Sequence, residues 1–334
     1  MTLKTQFLGA AAMLALTAGA ALADPALIYD LGGKYDKSFN EAAFNGAEAF
    51  AKETGGAYKD IELQSEAQRE QALRRFAEAG FNPVVTTGFS MSSPIASVAA
   101  DYPDTKFVTI DGFVDPGEHP NVLSILFSEH EGSYLVGMMA AMASESGTVG
   151  FVGGMDIPLI RKFACGYAQG ALAVNPDAKV ISNMTGTTPA AWNDPVKGSE
   201  LTKAQISQGA DVIYAAAGGT GLGVLQTAAD EGILSIGVDS NQNYLHPGKV
   251  LTSMLKRVDV AVKESMEQGA DLKTGVMVLG LNENGVGYAV DDNNAALVTP
   301  EMTAAVEDAK SKIIAGEIEV HDYSADDTCP ALNF

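Results

Sequence analysis

Short apolar runs alternate along the chain with longer segments whose apolar residues recur every three or four positions. The runs at 26–29, 84–87, 107–110 and 122–127 are four to six residues long and rich in β-branched and aromatic side chains, so they predict strands, with a weaker one at 61–63. Between them, residues 38–54, 65–79 and 92–102 carry the helical period. In the first, Ala43, Ala47, Phe50 and Ala51 share a face and Gly55-Gly56 ends it, while Ser38-Phe39-Asn40-Glu41 reads as an S-x-x-E capping box at its start. A long helix at 129–144, with Leu135, Met138, Met139 and Met142 on its apolar side, leads to a restart of the strand, glycine turn and helix pattern at 148–154. The second series predicts helices at 159–174, 196–208 and 222–231 and strands at 179–182, 212–215 and 234–238. A return crossing at 250–254, a helix at 258–268, strands at 276–279 and 287–290, and a last helix at 300–315 complete it. Strand and helix alternating in this way predict an α/β chain with doubly wound parallel sheets, and the restart predicts two lobes.

The first residues change the picture. Lys4, the apolar run 7–22 and the A-x-A triplet Ala21-Leu22-Ala23 read as a secretory signal peptide cleaved after Ala23, which sends the chain to the periplasm. The run is short for a bilayer span of about 20 residues. No cysteine lies near the cleavage point, so a chain without a lipid anchor is expected. A net charge of −21 argues against nucleic acid or an anionic membrane as a partner, because both attract a basic surface. The two cysteines, Cys165 and Cys329, are either joined, tying the C-terminal tail to the helix that holds Cys165, or left as two buried thiols. The four histidines are scattered without ligand spacing, so no metal is expected.

Candidate chemistry gathers at strand ends. In an open α/β sheet a ligand binds beyond the carboxyl ends of the strands, which puts Asp30, Phe39 and Asn40 at the rim of such a crevice. Phe39 either anchors the turn or stacks on a planar ligand. Asp111 and Asp239 also end strands. Each alone reads as a cap or a solvated carboxylate, but three acids in matching positions favour a shared site, where a vicinal diol can donate two hydrogen bonds to one carboxylate. Lys256 follows the crossing strand and can neutralise such a cluster. Trp192, the sole tryptophan, lies in a polar loop, as a packing plug or as a second face opposite Phe39. Gly218-Gly219-Thr220-Gly221 follows a strand and opens a helix, with Asp239 at the distance of a ribose-binding acid, yet Val224 stands where a dinucleotide fold needs its third glycine. These glycines allow close backbone approach of a ligand without requiring a pyrophosphate. No nucleophile elbow, P-loop or zinc-protease motif occurs, which points to binding rather than catalysis.

The segments 30–40, 121–137 (with Glu131-Gly132-Ser133-Tyr134-Leu135-Val136-Gly137), 149–154, Asn193-Asp194-Pro195 and Gly237-Val238-Asp239 resemble, in order, the basic membrane protein family of substrate-binding proteins, whose best-known members serve purine-nucleoside ABC transporters. The resemblance implies a type I periplasmic binding fold, two α/β lobes joined by three crossings, with 24–127 plus 255–281 in one lobe and 128–254 plus 282–334 in the other. It implies a non-catalytic receptor, without cofactor and monomeric, that closes on a purine nucleoside and delivers it to an ABC permease. Carried onto this chain, Phe39 and Trp192 would stack on the base and Asp30 and Asn40 would address it. Asp111 and Asp239 would take ribose hydroxyls beside Lys256, and Gly218 and Gly219 would offer backbone groups. This chain departs from many relatives in lacking a lipobox cysteine and in carrying tryptophan at 192, where phenylalanine is common. Another small solute is the alternative ligand, and a nicotinamide-dependent or nucleoside-cleaving enzyme the alternative class.

Overall fold

The computed structural model describes residues 23–334, so the expected signal peptide lies outside the described residues but for Ala23. Strands β1 (Ala26–Tyr29), β2 (Lys59–Glu62), β3 (Val84–Thr87), β4 (Phe107–Ile110) and β5 (Val122–Phe127) form a first sheet. A second sheet holds β6 (Thr148–Met155), β7 (Lys179–Gly186), β8 (Val212–Ala216), β9 (Leu234–Asp239) and β10 (Val250–Lys256). The chain then returns: β11 (Gly275–Leu279) joins the first sheet beside β5, and β12 (Val286–Tyr288) joins the second beside β10. The spatial orders are β11-β5-β4-β3-β1-β2 and β12-β10-β9-β8-β6-β7, so the two sheets repeat one topology. All neighbours run parallel except β12, which is antiparallel to β10. This is the two-lobed, doubly wound α/β architecture that the alternation of elements predicts.

Nine helices among the described residues cover the sheets: α1 (Phe39–Thr54), α2 (Arg69–Glu78), α3 (Ser92–Ala99), α4 (Glu129–Ala143), α5 (Pro158–Val174), α6 (Pro195–Ile206), α7 (Gly221–Asp230), α8 (Val258–Gln268) and α9 (Pro300–Ile314). Every residue of β1, β3 and β4 is buried, as strands covered on both faces must be, which is why they read as unbroken apolar runs. One apolar cluster runs from Leu27, Val85 and Val108 of the first lobe to Val149, Phe151 and Tyr214 of the second, and smaller clusters fill the outer faces.

Three local expectations shift. The edge strand β2 sits at Lys59–Glu62 because edge pairing with β1, not burial, defines it, and its residues are mostly exposed. The expected helix at 65–79 opens with a 3-10 turn, Glu66–Gln68, before α2. The strand expected at 287–290 is the short β12.

Helices α4 and α5 touch backbone to backbone. A Cβ on Gly170 would lie 1.9 Å from the Tyr134 carbonyl oxygen, and one on Gly137 would lie 2.1 Å from the Tyr167 carbonyl oxygen. Since no side-chain rotation relieves such a clash, Gly170→Ala is expected to force the helices apart and to destabilise the chain by about 3 kcal/mol, the upper end for overpacking. Urea unfolding should show a lower midpoint, whereas Gly287→Ala, with open space around its Cβ, should leave the midpoint nearly unchanged.

Candidate functional site

The carboxyl ends of β1, β4, β8, β9 and β10 converge on one cleft between the lobes, enclosing about 670 Å³ with its mouth. Asp30, Phe39, Asn40, Asp111, Trp192, Gly218, Asp239 and Lys256 all line it. Gly219 stands just behind, where a Cβ would meet the Trp192 carbonyl at 3.3 Å, so it lets the Trp192 loop approach rather than facing the cavity.

The turn after β1 builds one wall. Ser38 does not cap α1. The Asp36 carboxylate does so instead, accepting from the N–H groups of Ser38 (2.8 Å), Asn40 (3.1 Å) and Glu41 (3.1 Å). Burial pushes the Asp36 carboxyl up, to about 7, while the three donors pull it down. Freed from capping, the Ser38 hydroxyl donates to Asp239 in the other lobe. Phe39 stands in the first turn of α1, its ring 5.2 Å from the Lys256 ammonium. Asn40 braces the turn, its amide donating to the carbonyls of Asp30 (3.2 Å) and Gly33 (3.2 Å) while its oxygen accepts from the Thr87 hydroxyl (2.8 Å). Asp30 is held by the Arg69 guanidinium, at 3.0 and 3.3 Å, and by the Ser90 hydroxyl. Both residues expected to address a ligand are therefore at the cavity, with most of their polar capacity committed to the wall itself.

The opposite wall comes from the second lobe. Trp192 ends a 3-10 turn, Pro189–Trp192, after β7. Its ring packs against the end of β6, where a Cβ on Gly154 would come within 2.2 Å of it. Gly218 supplies a left-handed turn (φ 55°) between β8 and α7.

Charge is concentrated on the floor. Asp111 follows β4 and Asp239 ends β9, the third strands of their sheets, and both adopt left-handed backbone, φ 70° and 62°. Aspartate tolerates this conformation better than most side chains, and pairing it at equivalent positions turns both carboxylates into one cleft. Lys256 lies beside Asp111, 2% exposed, with its ammonium 2.6 Å from Asp111 Oδ2 and 2.8 Å from Glu129 Oε1. The rings of Phe39, Phe127 and Phe163 surround that ammonium at 5.0 to 5.5 Å. Burial pushes the Asp111 carboxyl up, to about 6, assisted by Glu129 and Asp239 and opposed by Lys256. Burial also raises Asp239. For Glu129 burial is outweighed by Lys256 and Lys162, which hold it down at about 2. Asp111 Oδ1 is buried without a hydrogen-bond partner among the described residues, an acceptor awaiting a donor.

Sequence reading missed Asp36, Glu129 and Lys162. Lys162 had one available signal, a charge inside the largely apolar pattern of α5, and Asp36 had its place two residues before Ser38, whereas Glu129 opens α4 beside His130 and Glu131 and does not stand out. The lobes also bond directly to each other, where Ser240 Oγ donates to the Ser38 carbonyl (2.9 Å) and Gln242 Nε2 to the Lys37 carbonyl (3.0 Å). Away from the cleft, Cys165 and Cys329 are joined in a disulfide.

Comparisons with known proteins agree with this geometry. A family described as "ABC transporter substrate-binding protein PnrA-like" matches residues 25–324. The chain is 31% identical over 320 residues to a Lactococcus lactis protein named "ABC transporter nucleoside-binding protein BmpA", covering 88% of each. The fold is similar to the crystal structure of an ABC transporter solute-binding protein from Aeropyrum pernix, with a TM-score of 0.81, 28% identity, and 91% of this chain and 95% of that one covered. A third relative corrects the sequence reading. A Pyrococcus furiosus protein, 37% identical over 279 residues and covering 79% of this chain and 69% of its own length, is named a lipoprotein, as are two other Pyrococcus relatives at 36% identity. These names stand against the expectation of a chain without a lipid anchor. That expectation rested on the lack of a cysteine near Ala23, a feature of one sequence read alone, and is withdrawn. With a two-lobed fold, an interlobe cleft and a family match over nearly all of its described length, the chain belongs to the Bmp family of PnrA-like ABC transporter substrate-binding proteins.

Proposed function

We propose that this chain captures a purine nucleoside between its lobes and presents it to the permease of an ABC importer, without chemical turnover. The observation that carries the reading is the pair of carboxylates, Asp111 and Asp239, at equivalent strand ends of one cleft, with Asp111 Oδ1 unpartnered. A ribose supplies the hydroxyl donors such acceptors need, and Phe39 and Trp192, on opposite walls, supply the apolar faces for a base. Lys256 fixes Asp111 and the Ser38 hydroxyl holds Asp239, Gly218 offers backbone to the ligand, and Asp30 and Asn40 set the shape of the base pocket. The nucleoside-binding name of the Lactococcus relative supports the same ligand class. Extraction of purified protein with denaturant and mass spectrometry of the released small molecules tests it. A nucleoside is expected; recovery of a sugar or amino acid alone would reject the ligand, and conversion of added nucleoside would reject the receptor role.

The acidity of the floor makes binding pH-dependent. Hydroxyl donors need Asp111 as a carboxylate, and its raised value of about 6 means that the acceptor is present above that pH and lost below it. Calorimetric affinity for inosine is expected to be nearly constant from pH 8 to 7 and to fall by about tenfold per unit well below pH 6. A flat profile down to pH 5 would remove Asp111 from the acceptor role.

A further inference from the structure

The floor of the cleft is one end of a longer chain of charges. From Asp111 the sequence of contacts runs to Lys256 (2.6 Å), to Glu129 (2.8 Å), to Lys162 (3.0 Å) and on to Asp322 Oδ2 (3.4 Å), alternating in sign at every step. Glu129 is 1% exposed and meets each lysine with a different oxygen, so the two ammonium groups share one buried carboxylate. Lys162 also donates to the Phe127 carbonyl (2.8 Å). Asp322 alone of the five comes from the C-terminal tail.

That tail is fastened with unusual thoroughness to one helix. Arg161, Cys165 and Gln169 lie four residues apart on one face of α5. Arg161 donates to the Tyr323 hydroxyl (2.9 Å), Cys165 is bonded to Cys329, and the Gln169 amide both accepts from the His321 N–H (2.9 Å) and donates to the His321 carbonyl (3.0 Å). The strap thus crosses α5 with Asp322 held beside Lys162, while Leu159, Ile160 and Phe163 of the same helix line the cleft.

We propose that the C-terminal strap acts on the ligand site through these alternating charges, with Asp322 as the positioning residue at its far end. The proposal rests on the nucleoside reading for its affinity effect but not for its structural one. With Asp322 neutralised, Glu129 becomes the sole carboxylate facing Lys162 and is drawn toward it. Lys256 then loses part of its hold on Glu129 and turns more fully onto Asp111, which occupies the lone pairs left for a ligand hydroxyl.

The test is Asp322→Asn, which keeps the side-chain acceptor for the Ser324 N–H (2.8 Å) and removes only the charge, with Asp322→Glu as the rescue. At 32% side-chain exposure the residue can be changed without emptying the core. Two measurements are made on the full chain: the ammonium 15Nζ resonance of Lys256 in ligand-free protein, and calorimetric affinity for inosine and guanosine. In Asp322→Asn the Lys256 resonance is expected to shift and nucleoside affinity to weaken by about three- to tenfold, with both restored in Asp322→Glu. A local cap or surface ion pair would leave both at their wild-type values, and an unchanged Lys256 resonance overturns the proposal, as does unchanged affinity in a wild type that binds. If wild-type protein binds neither nucleoside, the ligand reading fails, and the Lys256 resonance still decides the role of Asp322.

Discussion

Lys256→Met is expected to abolish nucleoside binding and to destabilise the fold by about 3–5 kcal/mol, the range for breaking a buried ion pair by removing one partner. The substitution fits sterically, since the ammonium already sits among Phe39, Phe127 and Phe163. What it leaves behind is charge. Glu129 retains Lys162 at 3.0 Å, but Asp111 loses the cation at 2.6 Å and has none in its place. The sign of the pH dependence follows. With its folded-state value already raised by burial, and further without Lys256, Asp111 in the variant binds its proton more readily folded than unfolded, so stability is gained as pH falls through that raised value. Urea unfolding at pH 7.5 and 5.5 should therefore show a large deficit at the first and a smaller one at the second. A variant as stable as wild type at both would mean that Asp111 is compensated from elsewhere.

The second large effect is on affinity alone. Asp239→Gly removes a carboxylate while suiting the left-handed backbone at φ 62°, where alanine would add strain of its own. Each charge-assisted hydrogen bond to a ribose hydroxyl is worth about 1.5–3 kcal/mol, so loss of even one weakens nucleoside binding by roughly tenfold to more than a hundredfold. The same change frees the Ser38 hydroxyl, which still has the Val238 carbonyl at 3.4 Å as an acceptor, and the unfolding midpoint should move little. Unchanged calorimetric affinity would exclude Asp239 from the site.

The order of strands and helices was legible because fully buried parallel strands are written as short unbroken apolar runs and their ends as glycines and acids. Asp30, Asp111 and Asp239 were found by that punctuation. The capping box at Ser38 failed for two reasons, one local and one not: Asp36, two residues earlier, takes the orphan N–H groups, and the acceptor that draws the Ser38 hydroxyl away, Asp239, lies 201 residues along the chain. Asp30 and Asn40 were legible as positions but not as commitments, since Arg69, Ser90 and Thr87 reach them only through the fold. Glu129 and Asp322 each look like an ordinary surface charge in sequence, Lys162 stands out only as a charge in an apolar helix, and packing alone lines the three up behind Lys256.

The return of β11 to the first sheet and of β12 to the second, together with the apolar cluster common to both, bears on how the molecule can be taken apart. A cut after β5 yields five strands without their sixth and without α8, which packs on α1. A cut before β6 yields a second half whose middle contains a foreign strand. No contiguous fragment is a lobe, so the two lobes are expected not to fold as separate modules, and neither half expressed alone should show a native-like thermal transition.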